Sequence, residues 1–311
     1  MLSEKTAEQI EFRRITLADK EAYEDALFSE SGRGCEFSFA NIYLWGRQNI
    51  AFLSGNILIF SQFSRRSVYP YPLGEGDKKA AIDAIIEDAA ARGIPCRITG
   101  LTEEAVSALK SFYPERFRFH GDEGAFDYVY CIDDLADLKG KKYHSKRNHL
   151  ARFEENNPDA KAEGITEENI SLAKELADNW YAQKQRENPE GDYHMEKAAL
   201  EKAFRDFSPL GLFGMIIRKG DKAIAFTMGS RLSPDTVDVH FEKAEAEIQG
   251  AYAAINCYFA RYIREKFPAV KYLDREEDMG LEGLRKAKQS YRPHHMIEKK
   301  WACLLEEGYE Y

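Results

Sequence analysis

Apolar positions in the first part of the chain alternate between a spacing of two, typical of strands, and a spacing of three to four, typical of helices. The tripeptide Ser54-Gly55-Asn56 predicts a hairpin turn between two of the strands. The predicted elements, in chain order, are a strand at 12–15, helices at 18–28 and 37–45, strands at 49–53, 57–63 and 67–71, a helix at 77–91, a strand at 96–99, a helix at 103–112, and strands at 116–119 and 126–132.

The second part of the chain repeats this order of elements. The two parts share no matching residues, so the repeat is one of element order only. The predicted elements are a strand at 160–164, helices at 167–186 and 195–207, strands at 212–218, 223–231 and 236–243, a helix at 251–267, a strand at 270–273, a helix at 281–291, and a last strand at 296–304.

This element order resembles that of the GNAT acyltransferase fold, and two copies in tandem resemble the Fem-type aminoacyl transferases. We therefore predict an α/β (α+β) chain of two tandem GNAT-like (acyl-CoA N-acyltransferase) domains, each a mixed, mostly antiparallel sheet flanked by helices. The boundary is expected where the acidic pair Asp133-Asp134 gives way to a basic run. Residues 1–134 would form the N-terminal domain, and residues 135–311 the C-terminal domain that carries the predicted site.

Composition and charge limit the classes of function. The chain has 311 residues, enough for two domains, and a formal net charge of -9. An acidic chain has no general attraction to DNA or anionic lipid, so any polyanion must meet a local basic patch. The N-terminus lacks an apolar signal core and no stretch could span a bilayer, so we expect a cytoplasmic protein without a transmembrane segment. The five cysteines lack a C-x-x-C pair and are expected to be reduced thiols.

Several segments carry a more specific resemblance. They are Cys35–Trp45 (CEFSFANIYLW), Lys139–Phe153 (KGKKYHSKRNHLARF), Val239–Asn256 and Asp274–Pro293 (DREEDMGLEGLRKAKQSYRP). Together they resemble the soluble DUF2156 family, which is related to the C-terminal catalytic domain of phosphatidylglycerol lysyltransferase. The resemblance implies acyl or aminoacyl transfer to an amine or hydroxyl. The co-substrate would be aminoacyl-tRNA or acyl-CoA, the acceptor a small molecule or a lipid headgroup, and no other cofactor is expected.

Such transfer needs a group that accepts the nucleophile's proton, and a dipole or cation near the developing oxyanion. Glu242 ends the third strand of the second meander and is our first candidate for an acid, base or amine-binding carboxylate, the alternative being a solvated edge charge. Tyr291 is a candidate proton donor or a core side chain. Glu276 belongs to a run of four acids that could hold a substrate ammonium or compensate the dipole of the next helix.

Substrate-binding candidates lie on two segments of the second half. Gly250 could let backbone amides approach a phosphate or could simply begin a helix. The Gln/Arg-x-x-Gly-x-Gly/Ala loop of coenzyme A enzymes is not matched, because Glu247 and Tyr252 occupy two of its positions. Arg285 could clamp an anion or pair with the acidic loop. The candidates are Lys243, Gln249, Gly250, Tyr252 and Asn256 on the first segment and Asp278, Arg285 and Lys288 on the second.

A basic run between the two halves could bind a polyanion. Lys142, Lys146 and Arg147 are the candidate contacts, with a surface helix of basic bias as the alternative. The histidines of the second half form no recognised zinc spacing, and we predict no metal.

The leading hypothesis is an acyl or aminoacyl transferase, with aminoacyl-tRNA as a candidate donor. The alternatives are a coenzyme A-dependent N-acyltransferase and a non-catalytic protein that binds a metabolite or RNA between its two domains.

Overall fold

The structure is a computed structural model that describes residues 9–30, 32–63 and 66–305. The chain divides into two compact units, one containing residues up to Phe126 together with those from Ile297 onward, and the other Asp127–Met296. Within the described residues, each unit contains a seven-stranded mixed sheet with flanking helices. The predicted α/β class and the repeated order of elements are confirmed.

The first unit contains mainly the elements that the apolar spacing predicts. Asp77 caps the longest helix by accepting a hydrogen bond from the amide of Ala80, and Gly93 ends it in the left-handed region with φ 65°. Its elements are β1 (Arg13–Arg14), α1 (Lys20–Phe28), α2 (Phe39–Leu44), β2 (Gln48–Leu53), β3 (Asn56–Gln62), β4 (Ser67–Pro70), α3 (Lys78–Arg92), β5 (Arg97–Leu101), α4 (Glu103–Phe112) and β6 (Phe117–Gly121).

The second unit begins at a strand that we predicted in the first domain. Its elements are β7 (Asp127–Cys131), α5 (Ile132–Asp137), α6 (His144–Asn156), β8 (Lys161–Gly164), α7 (Ile170–Glu187), α8 (His194–Arg205), β9 (Phe213–Lys219), β10 (Lys222–Arg231), β11 (Thr236–Ala244), α9 (Ala251–Lys266), β12 (Tyr272–Asp274), α10 (Glu282–Gln289) and β13 (His295–Ile297). β14 (Lys300–Leu304) follows and belongs to the first unit.

The end of the chain differs from the prediction. The single strand expected at 296–304 is two strands, and Glu298 and Lys299 separate them. β13 pairs within the second sheet, whereas β14 lies between β5 and β6 of the first sheet, in the order β1-β2-β3-β4-β5-β14-β6. One straight strand cannot hydrogen-bond to two sheets, so the chain breaks its extended run at the charged pair.

The second sheet has the order β13-β7-β12-β11-β10-β9-β8. β9, β10 and β11 form an antiparallel meander, and β12 pairs with β11 in parallel. β7 pairs with β12, which explains why the second unit starts at Asp127 and not after residue 134.

Helix α9 provides much of the apolar core of the second unit. Its buried face packs with residues of the meander, among them Phe213 and Val239, and with Leu273 of β12. This face follows the helical spacing that predicted the element. Among the described residues, no helix combines the length and apolar character needed to cross a membrane.

Candidate functional site

The two central strands of the second sheet diverge. β11 and β12 pair at three positions, from Thr236 opposite Tyr272 to Asp238 opposite Asp274. β11 then continues to Ala244, whereas β12 ends at Asp274 and the chain enters the acidic loop, residues 275–278. The second half of β11 therefore has one edge without a neighbouring strand in the described structure, which leaves room for side chains between the two segments.

A β-bulge lies where the strands diverge. Met228 of β10 faces Phe241 and the next residue, Gly229, faces Val239, so His240 is the extra residue of β11. Gly229 is required here, because a Cβ at that position would lie 2.3 Å from the carbonyl oxygen of Asp238. Bulges are common beside active sites because they redirect side chains. The regular alternation assumed from the sequence does not include this bulge.

Arg275 and Glu242 meet in the space between the diverging segments. The Nη2 atom of Arg275 donates to Oε1 of Glu242 at 2.8 Å, and the two side chains are 15% and 12% exposed. The guanidinium also lies 5.1 Å from the ring centroid of Tyr291 and 5.8 Å from that of Tyr130. Burial disfavours the charge on Arg275, but Glu242 and the two tyrosines raise its pKa overall. Glu242 is thus an ion-pair partner and not a solvated edge charge.

Lys146 of α6 joins the same group of side chains. Its Nζ atom lies 3.7 Å from the ring centroid of Tyr291. Burial lowers the pKa of Lys146 to about 8, with a smaller lowering contribution from Arg275 and an opposing one from Glu242. We name Lys146, Glu242, Arg275 and Tyr291 the cationic cluster, because it contains two cations and one carboxylate.

Tyr291 is held tightly within this cluster. Burial raises its pKa to about 12, so the phenol keeps its proton at neutral pH. Its ring meets Tyr130 edge to face at a centroid distance of 6.5 Å, and its carbonyl oxygen accepts a hydrogen bond of 3.1 Å from the hydroxyl of Tyr143. The core packing that the sequence allowed for Tyr291 is observed, and the same packing places its ring against Lys146.

Two buried polar atoms near the start of α9 and the end of β11 make no hydrogen bond within the described part of the chain. They are Oγ1 of Thr227, which lies opposite Glu242 in the β10–β11 register, and Oδ1 of Asn256. A buried polar atom without a partner in the protein is costly, and ordered water, an ion or a ligand can satisfy it. Asn256 lies one helical turn after Tyr252, so both are on one face of α9.

Glu276, a predicted catalytic residue, faces a histidine. Its Oε1 atom lies 3.5 Å from Nδ1 of His240, and Oδ2 of Asp238 lies 3.4 Å from the same nitrogen. The other ring nitrogen of His240 is 2.8 Å from Oγ of Ser230. Glu276 has φ 58°, an uncommon conformation for a side chain of its size, and its amide donates to Oδ1 of Asp274 at 2.8 Å.

The candidates on α10, Arg285 and Lys288, contact the acidic loop. Arg285 donates two hydrogen bonds to the carboxylate of Asp278, at 2.7 and 3.2 Å, and the hydroxyl of Tyr128 donates a third at 2.6 Å. Arg285 is the main reason that the pKa of Asp278 falls to about 2. Lys288 donates to the carbonyl oxygens of Arg275 and Glu276. These contacts attach α10 to the loop, and they give Arg285 and Lys288 a structural role beside the predicted one.

Lys243 lies apart from the cationic cluster. Its Nζ atom donates to Oε1 of Glu196 on α8 at 2.7 Å and lies 3.9 Å from the ring centroid of Trp180 on α7. Burial lowers the pKa of Lys243, and Glu196 partly opposes this. Burial also raises the pKa of Tyr252, whose hydroxyl is near Trp180.

Gly250 makes a close contact between two helices. It has φ 86°, and a Cβ there would lie 2.3 Å from the carbonyl oxygen of His149 on α6. This approach accounts for the glycine, since any side chain would collide with backbone. Gln249 beside it is exposed.

The three predicted polyanion contacts lie in different environments. Lys142 is exposed and pairs with Asp134 at 2.9 Å. Arg147 donates to the carbonyl oxygens of Leu138 and Gly140, after the end of α5. Lys146 points instead into the cationic cluster, so the three side chains do not form one surface patch.

Sequence reasoning missed several residues of the site. Arg275 is the one basic residue within the acidic run DREED, and this isolation is the signal in the sequence that could identify it. Ser230 and Thr227 come from the middle strand of the meander and carry no motif. His240 stands alone on its strand in the sequence, and the carboxylates that face it, those of Asp238 and Glu276, are distant from each other along the chain.

Comparisons with known proteins agree with this fold. A crystal structure of a conserved protein of unknown function from Bacteroides thetaiotaomicron is 37% identical, with a TM-score of 0.90, covering 96% of this chain and all of that one. The C-terminal domain of a putative lysylphosphatidylglycerol synthetase from Agrobacterium fabrum has 13% identity and a TM-score of 0.69, covering 94% and 93%. L-PGS from Bacillus licheniformis has 15% identity and a TM-score of 0.66, covering 92% of each chain. A comparison with curated protein sequences finds no match.

The family model for the C-terminal region of phosphatidylglycerol lysyltransferase matches residues 30–304. The match spans both units, and the resemblance inferred from the sequence segments is confirmed. Family and fold together indicate a transferase. The chain belongs to the phosphatidylglycerol lysyltransferase C-terminal family.

Proposed function

We propose that this protein transfers an aminoacyl group from aminoacyl-tRNA to an amine or hydroxyl acceptor, and that the transfer takes place at the cationic cluster. The observation that carries the proposal is the presence of two cations of the cluster, Lys146 and Arg275, at the carboxylate of Glu242. Acyl transfer develops negative charge on the carbonyl oxygen, and preorganised cations in a poorly solvated site stabilise it.

The reaction assigns a role to each member of the cluster. The acceptor N–H or O–H attacks the ester carbonyl, and the resulting oxyanion lies against Arg275. The proton of the acceptor passes to a base as the new C–N or C–O bond forms. The ester C–O bond then breaks, and the ribose oxygen takes up a proton and leaves as a hydroxyl. Lys146, with a pKa of about 8, is the proposed base, since roughly one tenth of such an amine is neutral at pH 7.

Tyr291 and Glu242 complete the proposed machinery. With a pKa near 12, Tyr291 remains protonated and can donate its proton to the leaving oxygen. Glu242 positions Arg275 through their ion pair and keeps the pKa of Lys146 from falling further. In this proposal Glu242 is therefore a positioning residue and does not act as the base.

Family membership supports transfer of an aminoacyl group in particular. The solved relative from Agrobacterium fabrum is named a putative lysylphosphatidylglycerol synthetase, and the one from Bacillus licheniformis is named L-PGS. The acceptor of this protein is proposed only as an amine or hydroxyl, and lipid headgroups are one class to test.

Coenzyme A is a less favoured donor. Its pyrophosphate would need the turn before α9, where Glu247 supplies a negative charge and accepts a hydrogen bond of 2.9 Å from Gln183. The carbonyl of His149 lies where a side chain at Gly250 would be, so α6 covers this part of the turn.

The direct test is a transfer assay. The purified protein is incubated with total tRNA charged with labelled amino acids, together with a pool of amines or with vesicles containing phosphatidylglycerol. We expect label to leave the tRNA and to appear in the acceptor, and Lys146→Met to reduce the rate by at least ~100-fold. The matched control is Lys222→Met, which changes an exposed lysine at the start of β10.

Two results would contradict the proposal. One is release of free thiol from acetyl-CoA, with the tRNA label unchanged, which would favour the coenzyme A-dependent reaction. The other is transfer at an equal rate by the wild type and Lys146→Met, which would remove the cationic cluster from the reaction.

A further inference from the structure

The side chains of Asp238, His240 and Glu276 converge beside the cationic cluster, and the proposed transfer uses none of them. One ligand atom from each lies within 4.8 Å of the other two. Asp238 and His240 come from β11, and Glu276 comes from the acidic loop. We propose that these three residues bind one divalent transition-metal ion, Zn²⁺ or Mn²⁺, in a site that the sequence did not predict.

The distances suit such an ion. Nδ1 of His240 lies 3.4 Å from the Asp238 carboxylate and 3.5 Å from that of Glu276. Two ligands bound tetrahedrally at the usual zinc bond lengths of about 2.0–2.1 Å are separated by about 3.4 Å. The carboxylate of Glu276 is 26% exposed and belongs to a long side chain, so it can adjust to complete the third contact.

The histidine provides the second, independent observation. Its side chain is 1% exposed, yet Nδ1 makes no hydrogen bond to the described residues and points towards both carboxylates. Nε2 lies 2.8 Å from Oγ of Ser230, which can hold the proton on that nitrogen. The lone pair of Nδ1 is then available for a metal, and a hydrogen bond at the other ring nitrogen is the usual arrangement around metal-bound histidines.

The ligand set indicates the class of ion. One imidazole and two carboxylates favour Zn²⁺ or Mn²⁺, whereas Mg²⁺ and Ca²⁺ prefer oxygen ligands alone. Two negative charges neutralise the ion, and three protein ligands leave a position for water or for an oxygen of a substrate. A metal here would also hold the acidic loop, which contains Arg275, in place beside β11.

The test measures metal binding and does not depend on transfer activity. The full chain is treated with chelator, dialysed, and titrated with ZnCl₂, MnCl₂ and MgCl₂ by calorimetry. We expect one equivalent of Zn²⁺ or Mn²⁺ per chain and much weaker binding of Mg²⁺. Affinity should fall at least ~10-fold in Glu276→Gln and in His240→Gln, and about 10–100-fold in Ser230→Ala, which alters only the orientation of the histidine.

His194→Gln is the matched control, because it removes an exposed histidine of α8 and should leave affinity unchanged. Since His240→Gln affects a buried side chain, the melting temperature of each variant in chelator reports whether it folds. Titration of the wild type with Co²⁺ gives a reading that needs no variant, because the visible absorption of Co²⁺ responds to nitrogen and oxygen ligation.

The proposal is overturned if the wild type binds no ion saturably or shows no change in the Co²⁺ spectrum. It is also overturned if folded Glu276→Gln binds as tightly as the wild type, or if His194→Gln abolishes binding. If the wild-type protein binds the metal but transfers no aminoacyl group, the proposed function is contradicted and the metal proposal is not.

Discussion

The guanidinium of Arg275 lies 2.8 Å from the carboxylate of Glu242, and this ion pair connects β11 to the loop after β12 at the point where the two strands have diverged. Both side chains are largely buried, and Lys146 contributes a second cation to the same group. Glu242 and Arg275 both influence the pKa of Lys146, so a change at Glu242 can be detected at Lys146.

Glu242→Gln should lower the pKa of Lys146 below its present value of about 8. Glu242 favours the charged amine, while burial and Arg275 oppose it, so removing the carboxylate leaves only the two lowering influences. NMR titration of the Lys146 Nζ signal measures the change. Glu247→Gln, at an exposed position of the same segment, is the control. An unchanged or higher pKa in Glu242→Gln would contradict the arrangement.

Gly250→Ala should destabilise the protein more than Gly220→Ala. Both glycines have positive φ, 86° and 60°, but a Cβ at Gly250 would lie 2.3 Å from a carbonyl oxygen, whereas a Cβ at Gly220 meets no atom within 4 Å. The second variant measures backbone strain alone, about 1 kcal/mol, and the first adds a steric conflict of about 1–3 kcal/mol. Denaturant unfolding of both variants gives the comparison. If both variants lost the same free energy of unfolding, α6 would have to move away from residue 250 without an energetic cost.

Arg285→Lys should lower the melting temperature at neutral pH, because Lys cannot make the two hydrogen bonds that Arg285 donates to Asp278. The pKa of Asp278 is about 2, below its ordinary value, so this stabilisation is present above about pH 4 and is lost as the pH falls through 2. The difference between variant and wild type should therefore shrink in acid.

Lys286→Gln serves as the control for Arg285→Lys, since it disrupts an exposed pair with Glu282 on the same helix. Ligand affinity measured on the same proteins separates the two roles of Arg285. Lower affinity at unchanged melting temperature would support the predicted anion clamp, and the reverse result would leave Arg285 a structural residue.

Lys142→Glu should weaken binding to tRNA if the basic run meets a polyanion. Lys142 is exposed, and its present partner is the carboxylate of Asp134. We expect the slope of log affinity against log salt to decrease in magnitude by about one, as for the loss of one phosphate contact. Lys222→Glu makes the same charge change at the start of β10. Identical effects of the two variants would indicate a general charge effect and no specific contact at Lys142.

Much of the fold was predictable because local spacing and turn residues act over short distances. The meander, α9 and α10 lie close to the ranges expected from apolar periodicity. α5 was not predicted, since its six residues directly follow β7 and include three aspartates. The separation of the last predicted strand into β13 and β14, which belong to different sheets, was also not predicted. Alternation of apolar and polar residues does not indicate which sheet a strand will join.

The candidate site was predictable in part. Glu242 and Tyr291 were selected from the segments that carry the family resemblance, and both lie in the cationic cluster. The sequence indicates Lys146 for a different role, that of a polyanion contact, because it lies in a basic run. Arg275 was not selected at all.

The sequence by itself determined most of the order of strands and helices, the repeated architecture and the family, because each of these depends on spacing and residue type within short segments. Only the tertiary structure decided which charges are neighbours. Lys146, Glu242 and Arg275 come from three separate elements and meet because β11 and β12 diverge. Burial at that meeting point lowers the pKa of Lys146, and no local pattern encodes it, since it depends on how distant segments exclude water from the same amine.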